Sequence, residues 1–308
     1  VKEQADLLAL PGLIPSASPL DFIRDLSFLS RLVSSGDYDI IHSCRATSHL
    51  LTALAARRRL PLIHLRSGAR PPSRHPCNRV LYRRLTDSVL VSSSRIENWL
   101  TKGLKISPDR IHRLLAPVDT EFFRPAPPDP AVFKELGIAS NRPLVVNVAR
   151  LAPVKGHDIL VEAMARVIEA VPGSVLVLIG FPWEGQPEKI LKQAHELGIE
   201  GSVICTGRRR EVRKYILAAS VCVSSSIGSE ENSRAVSEYL ASGKPAVVTK
   251  IGVMPELVED GISGRVVPPR DPSALAAALM EILADPARAR KMGEAGRRAA
   301  EERVSEEV

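Results

Sequence analysis

Short, nearly continuous runs of apolar and β-branched residues recur along the chain, separated by stretches with helical periodicity. No other feature limits the fold as strongly. The runs are plainest in the second half: "PLVVNVA" (143–149), "SVLVLIG" (174–180), "SVICT" (202–206), "SVCVSSS" (220–226), "PAVVT" (245–249) and "GRVVPP" (264–269). A strand with one wet face alternates polar and apolar side chains, whereas a strand apolar throughout has both faces covered, as in a parallel sheet layered with helices. After the first run, Ile159, Leu160, Ala163, Met164, Val167, Ile168 and Val171 share one helical stripe and predict a crossover helix over 157–171. "RDPSALAAALMEILADP" predicts a later helix with Asp271 as N-cap and Pro272 at its first position. The first half carries the same signal at "YDIIHS" (38–43), "LPLIHLR" (60–66), "DSVLVSS" (87–93) and "RIHRLLA" (110–116). Four prolines in "FRPAPPDPAVF" (123–133) can continue neither element and mark a junction, so the expected domains are 1–130 and 131–308. The expected class is α/β with two doubly wound parallel-sheet domains.

At 308 residues and 44% apolar content the chain can bury two such cores. Its 42 basic and 35 acidic residues give a net charge of +7, which favours phosphate-bearing ligands or an anionic membrane surface without choosing between them. Aromatic residues are only 4% of the chain, too few for the stacking platforms of single-strand nucleic-acid binders, and no nucleic-acid partner is expected. Cys44, Cys77, Cys205 and Cys222 are scattered without a CxxC pair or a secretory leader, the usage of a reduced, cytoplasmic setting. The apolar runs are too short to cross a bilayer. "RRRL" (57–60) and "YRR" (82–84) could rest peripherally on anionic lipid, although solvation is the commoner role of such residues.

Two stretches carry chemistry. In "NVARLAPVKGHDILVEA" (147–163) a strand ends, a loop presents Arg150 and Lys155, Gly156 permits a tight entry, and a long helix begins with its N–H groups facing the strand ends. Two cations and a positive helix end at the carboxyl edge of a parallel sheet make an anion site. An ordinary loop with solvated basic residues fits the same letters. Neither GxGxxG nor GxxxxGK[ST] occurs, so side chains rather than glycine amides would neutralise phosphate. In "SEENSRAVSEYLASGKPAVVT" (229–249), Asn232 is the expected N-cap of a helix over 233–242 that Gly243 stops. Ala235, Val236, Tyr239 and Leu240 form its buried face, Glu238 stands at the margin, and Glu230 lies in the loop at its mouth. Carboxylates accept paired hydrogen bonds and suit neighbouring sugar hydroxyls. Alternatively, Glu238 simply pairs with Arg234 one turn earlier.

Together these stretches resemble the GT-B nucleotide-sugar glycosyltransferases, specifically the mostly retaining family 4, group 1 type, with an Arg-x4-Lys-Gly loop and an E-x7-E motif. Here they read "RLAPVKG" and "EENSRAVSE", in the family's order, accompanied by "PVDTEFFRP", "KGHDILVEA", "LASGKPAVVT" and "MPELVEDGISGRVVPPRDP". The resemblance spans about 37–303 and implies a GT-B fold of two Rossmann-like domains, the first on the acceptor side and the second binding the donor, with reaction in the cleft they form. It implies that Arg150 and Lys155 contact the diphosphate, Glu238 the ribose and Glu230 the transferred sugar, with Asn232, Ser233 and Arg234 lining the donor and Gly207 and Arg208 near the base. Fixed cations aimed at the departing nucleoside diphosphate need no metal, so no cofactor is expected. The implied acceptor is a glycan or a lipid-linked molecule such as a cell-envelope glycan, and the implied outcome is retention of anomeric configuration.

The chain also departs from the family. Glu231, Asn232 and Ser233 stand where many relatives have Gly-Phe-Gly, which puts the identity of the sugar in doubt. The family often supplies a histidine after the strand equivalent to "LPLIHLR"; here Ser67 holds that place and His64 lies within the strand, so His64, Arg66 and Ser67 are the acceptor-side candidates. A strand histidine is ordinarily a satisfied structural residue. Residues 1–36 show no opening strand, glycine turn and helix, and the last helix is short at "EERVSEEV", as expected of a fragment. Asp37-x-Asp39 precedes its strand rather than following it, which argues against a metal site, and neither zinc spacing nor a GxSxG elbow is present. Two rival readings are a GT-B nucleotide-sugar epimerase and a non-enzymatic nucleotide-sugar or nucleic-acid binding protein.

Overall fold

The computed structural model describes residues 18–68 and 71–305; residues 1–17, nearly half of the stretch without an opening strand, lie outside it, as do 69–70 and 306–308. The chain divides into two compact units, 1–114 and 115–308. Among the described residues, no helix is long and apolar enough to cross a membrane.

The first unit runs α1 (Pro19–Ser35), β1 (Ile41–Ser43), α2 (Ala46–Ala56), β2 (Leu62–Arg66), α3 (Pro76–Arg84), β3 (Ser88–Val91), α4 (Ser94–Trp99) and β4 (Ile111–Arg113). Its strands are parallel and stand in sequence order, β1-β2-β3-β4. Leu62, Val89, Val91 and Ile111 pack with Leu81, Tyr82, Ile96, Leu100 and Leu104 on one face. Ile63, Leu65 and Leu90 point to the other face and are only partly buried.

The second unit runs α5 (Pro130–Leu136), β5 (Leu144–Val148), α6 (His157–Ala170), β6 (Val175–Ile179), α7 (Gln186–Glu196), β7 (Val203–Gly207), α8 (Arg213–Ala218), β8 (Val221–Ser224), α9 (Arg234–Ala241), β9 (Ala246–Thr249), α10 (Met254–Leu257), β10 (Gly264–Val267), α11 (Pro272–Ala284) and α12 (Pro286–Arg303). The six parallel strands stand in the order β10-β9-β8-β5-β6-β7. The apolar runs explain both faces. Leu144, Val146, Val175, Val177, Cys222 and Val248 project into a core closed by α8, α9 and α10, while Val145, Leu176, Leu178, Val223 and Val247 project into one closed by α6, α7 and α11. Each fully buried Val or Leu side chain contributes roughly 1.5–3 kcal/mol against exposure, so neither face can be wetted cheaply. The chain leaves β5 toward β6 on one side and later returns to β8 on the other, which makes the β5/β8 boundary a topological switch point.

All ten expected strands are present, nine of them trimmed at their ends and β7 shifted by one residue to Val203–Gly207. The crossover helix α6 and the Asp271 cap also stand where expected. One boundary moves: the N-cap of α9 is Ser233 rather than Asn232, and the helix is Arg234–Ala241. Asn232 instead accepts the Arg234 N–H on its carbonyl oxygen at 2.9 Å. Gly243, at φ +68°, follows the last turn as the expected stop.

Candidate functional site

At the switch point the loops after β5 and β8 are stitched together. Ile227 N donates to Val154 O at 2.9 Å, and the Ser225 hydroxyl donates to Lys155 O at 2.9 Å. Gly156 lies so close to Ser225 O that a Cβ would stand 2.3 Å from it, and its φ of +64° is left-handed, so only glycine fits this entry to α6. Beneath the stitch, Asn147 Nδ2 donates to Val223 O at 2.8 Å, which leaves Asn147 Oδ1 to accept from His157 Nε2 at 3.2 Å. Burial is the largest influence on His157 and lowers its pKa to about 4, so the imidazole is neutral at neutral pH.

This frame brings the Lys155 ammonium against the Glu230 carboxylate in a mostly buried ion pair. The Ser226 hydroxyl donates to the same carboxylate oxygen. The backbone of Glu230 is held from the far side: Val253 N donates to its carbonyl at 2.8 Å, and a Cβ on Gly252 would come within 2.1 Å of that oxygen. A charged pair out of water is stable only with such additional hydrogen bonds.

The other candidates of the second unit stand at the end of β7 and on the loops and helices that follow β5, β7 and β8. Arg150 is exposed in the loop after β5, its guanidinium 5.7 Å from the centre of the Trp183 ring. Glu238 projects from α9 half-buried; burial pushes its pKa up to about 7, with Arg234 opposing the rise. No ion pair joins Glu238 to Arg234 among the described residues, so simple pairing does not account for Glu238. Glu238 and Glu230 both act on the buried Tyr239 phenol, and raise its pKa after the larger effects of burial and Cys222. The Tyr239 hydroxyl accepts from Val148 N at 2.7 Å and so ties α9 to the end of β5. Ser233 is buried at the start of α9, but its hydroxyl caps no N–H. Asn232 and Arg234 are exposed beside it. Gly207 ends β7 at φ +70° and accepts the Gly180 N–H at 3.0 Å; Arg208 follows it, exposed.

The first-unit candidates have different surroundings. His64 is fully buried, with Nδ1 3.1 Å from Ser43 O and its ring stacked at 3.7 Å on His49. Burial, followed by the nearby Arg66 charge, lowers its pKa to about 4. Arg66 lines a small cavity of about 50 Å³ with Gly68, Pro71, Pro72, Arg95, Ile96 and Trp99. Ser67 follows β2, partly buried.

Models of two families match the chain: "Glycosyl transferases group 1" over residues 129–299 and "Glycosyltransferase Family 4" over residues 3–122. The chain belongs to the family 4, group 1 glycosyltransferases. This family member is 34% identical over 214 residues to a D-inositol 3-phosphate glycosyltransferase of Segniliparus rotundus, covering 67% of this chain and 47% of that protein. It is 34% identical over 190 residues to a GDP-mannose-dependent alpha-(1-6)-phosphatidylinositol monomannoside mannosyltransferase of Mycolicibacterium smegmatis, covering 58% of this chain and 49% of that one. The chain thus spans about half the length of these two curated relatives. Among solved structures, a glycosyltransferase of Rickettsia africae superposes with a TM-score of 0.85 at 21% identity, covering 94% and 79% of the two chains. Anabaena HepE in complex with UDP superposes with a TM-score of 0.81 at 22% identity, covering 91% and 78%. With two parallel-sheet α/β units and these neighbours, the fold of this glycosyltransferase family member is GT-B.

Ser225, Ser226, Asn147, His157 and Gly252 belong to the site and were not singled out from the sequence. Ser225 and Ser226 sit just past the apolar strand β8, a position shared by many ordinary loops, while Asn147 within β5, His157 at the start of α6 and Gly252 carry no local signal.

Proposed function

We propose that the chain transfers a sugar from a nucleoside diphosphate donor to a glycan or lipid-linked acceptor. One observation carries this reading: the Lys155–Glu230 pair, fixed at the mouth of α6 and close to α9, two helices whose first N–H groups no side chain caps. In this reading Lys155 and Arg150 meet the diphosphate together with the positive ends of both helices, and stabilise the charge that builds as the leaving group departs. Glu230, preset by Lys155 and Ser226, accepts from the hydroxyls of the transferred sugar; Glu238 accepts from the ribose. Asn232, Ser233 and Arg234 line the donor between them, and Gly207 and Arg208 face the base. Arg66 and Ser67 are the acceptor-side residues of the first unit; His64, expected beside them, is fully buried against His49 and takes a structural role instead.

Retention of configuration is what the family resemblance implies; with no carboxylate assigned as a nucleophile, the leaving phosphate takes the acceptor's proton on the same face. The cations supply the electrophilic charge without a metal, and turnover is expected to survive chelator. A relative named for a phosphatidylinositol monomannoside acceptor supports a lipid-linked acceptor, and the basic charge supports a peripheral cytoplasmic station at an anionic membrane.

The test is a panel of nucleotide sugars in a thermal-shift assay, followed by NMR of the product's anomeric carbon. A donor that raises the melting temperature and yields a retained product is expected. Flat responses to every donor would overturn the reading, while turnover of a donor without any acceptor would favour epimerisation.

A further inference from the structure

The loops after β5 and β6 remain laced beyond the end of the sheet. Ala149 N donates to Ile179 O at 3.0 Å and Leu151 N to Phe181 O at 2.9 Å, and Leu151 forms a parallel bridge with Pro182. Gly180 sits so close to Ala149 O that a Cβ would fall 1.8 Å from it. The backbones that carry Arg150 and Trp183 are therefore fixed relative to each other, and the guanidinium lies 5.7 Å from the centre of the indole ring. Arg150 and Lys155 are provided for in opposite ways. Lys155 faces a carboxylate, whereas no ion pair engages Arg150 among the described residues and its neighbour is an aromatic face. That indole is half exposed, at 50%, in a chain with only two tryptophans. Packing does not explain it.

We infer that Trp183 is the positioning residue for Arg150, its indole face orienting the guanidinium toward the donor's diphosphate while leaving the positive charge uncompensated. This rests on the donor reading above. A carboxylate would orient the guanidinium as well but would take up its N–H groups and cancel its charge. An aromatic face attracts the cation through the ring quadrupole and leaves the in-plane donors available for bidentate contact with phosphate oxygens. Diphosphate binding then alters the charge next to the indole and with it the indole's emission.

The experiment titrates UDP and GDP into wild type, Trp183→Phe, Trp183→Ala, Arg150→Ala and the Trp183→Ala/Arg150→Ala double variant, by calorimetry and by tryptophan emission. Trp183→Ala should weaken binding about two- to fivefold, the size of an exposed cation–π contact. Trp183→Phe should restore most of the loss. Trp183→Ala should cost nothing further once Arg150 is alanine. Nucleotide should change the emission of wild type but not of Trp183→Phe, in which Trp99 is the remaining indole. Trp183 is on an exposed loop, so melting temperatures should match; the phenylalanine variant carries the emission test if the alanine variant does not fold. Equal affinity of wild type and Trp183→Ala, an undiminished loss in the Arg150→Ala background, or binding without an emission change would overturn this inference alone. Failure of both nucleotides to bind wild type would overturn the donor reading and this inference with it.

Discussion

Four helices of the second unit begin in two different ways. α11 and α12 each open on an aspartate whose carboxylate accepts an N–H of the first turn, Asp271 from Ala274 and Asp285 from Arg288, both at 2.9 Å. α6 opens on Gly156 and α9 on Ser233, and neither receives a side-chain cap. A cap satisfies orphan N–H groups and offsets the positive helix end with a charge from the chain itself. The first pair is therefore complete within a four-residue stretch of sequence. The second pair leaves its first N–H groups without a side-chain cap and owes its stability to packing on the sheet; in the donor reading those groups meet the diphosphate. Helices α7, α8 and α10 also begin without a side-chain cap; what sets α6 and α9 apart is that they start where the loops after β5 and β8 meet, beside the Lys155–Glu230 pair.

The largest effect should come from the cation at α6. Lys155→Ala should lower kcat/KM about a hundredfold, the typical loss on removing one preorganised electrostatic contact, in steady-state assays with the identified donor. Next, Ser233→Asp would give α9 the kind of start that α11 has. A carboxylate there should compete with the diphosphate and weaken nucleotide binding about tenfold by calorimetry, the equivalent of 1–2 kcal/mol of dipole and charge effects. Unchanged affinity would break the comparison.

A pH series sharpens the comparison at the other end of the motif. Burial raises Glu238 to about 7, so the fold favours its protonated form. That contribution to stability is complete below the ordinary carboxylate pKa and is lost as pH rises through about 7. Glu238→Gln should therefore gain stability relative to wild type between pH 5 and pH 8, read as the difference in melting temperature. Nucleotide affinity of wild type should fall as pH drops below about 7, and that of the glutamine variant should not.

The smallest effects separate the two kinds of helix start. Asp271→Ala should cost about 1 kcal/mol in denaturant unfolding without changing nucleotide affinity, because it removes a cap. Ser233→Ala should change stability by less than about 0.5 kcal/mol, because no cap hydrogen bond is lost.

The strands were legible because period and burial are written in neighbouring residues: Leu144 and Val146 face one core and Val145 the other, as an apolar-throughout run requires. Asp271 was legible as a cap because its partner is three residues away. The start of α9 was misplaced by one residue. Asn232 and Ser233 are both acceptable caps by type, and the choice between them falls in a stretch where the loop is held through Glu230 by Val253. Arg150, Lys155, Glu230 and Glu238 could be picked out from spacing and resemblance, but Ser226, Asn147 and Trp183 could not. Asn147 meets Val223 76 residues away, and Trp183 meets Arg150 only because two strands happen to be adjacent.

The sequence alone determined the class of fold, the strands, the capped helices and the two charged motifs, since each depends on residues a few positions apart. Only the tertiary structure decided that Lys155 faces Glu230 across 75 residues, that Arg150 rests on an indole and that burial raises the Glu238 pKa to about 7. Those outcomes depend on strand order, which sets β8 beside β5 for the ion pair and β6 beside β5 for the indole contact, and on exclusion of water at Glu238.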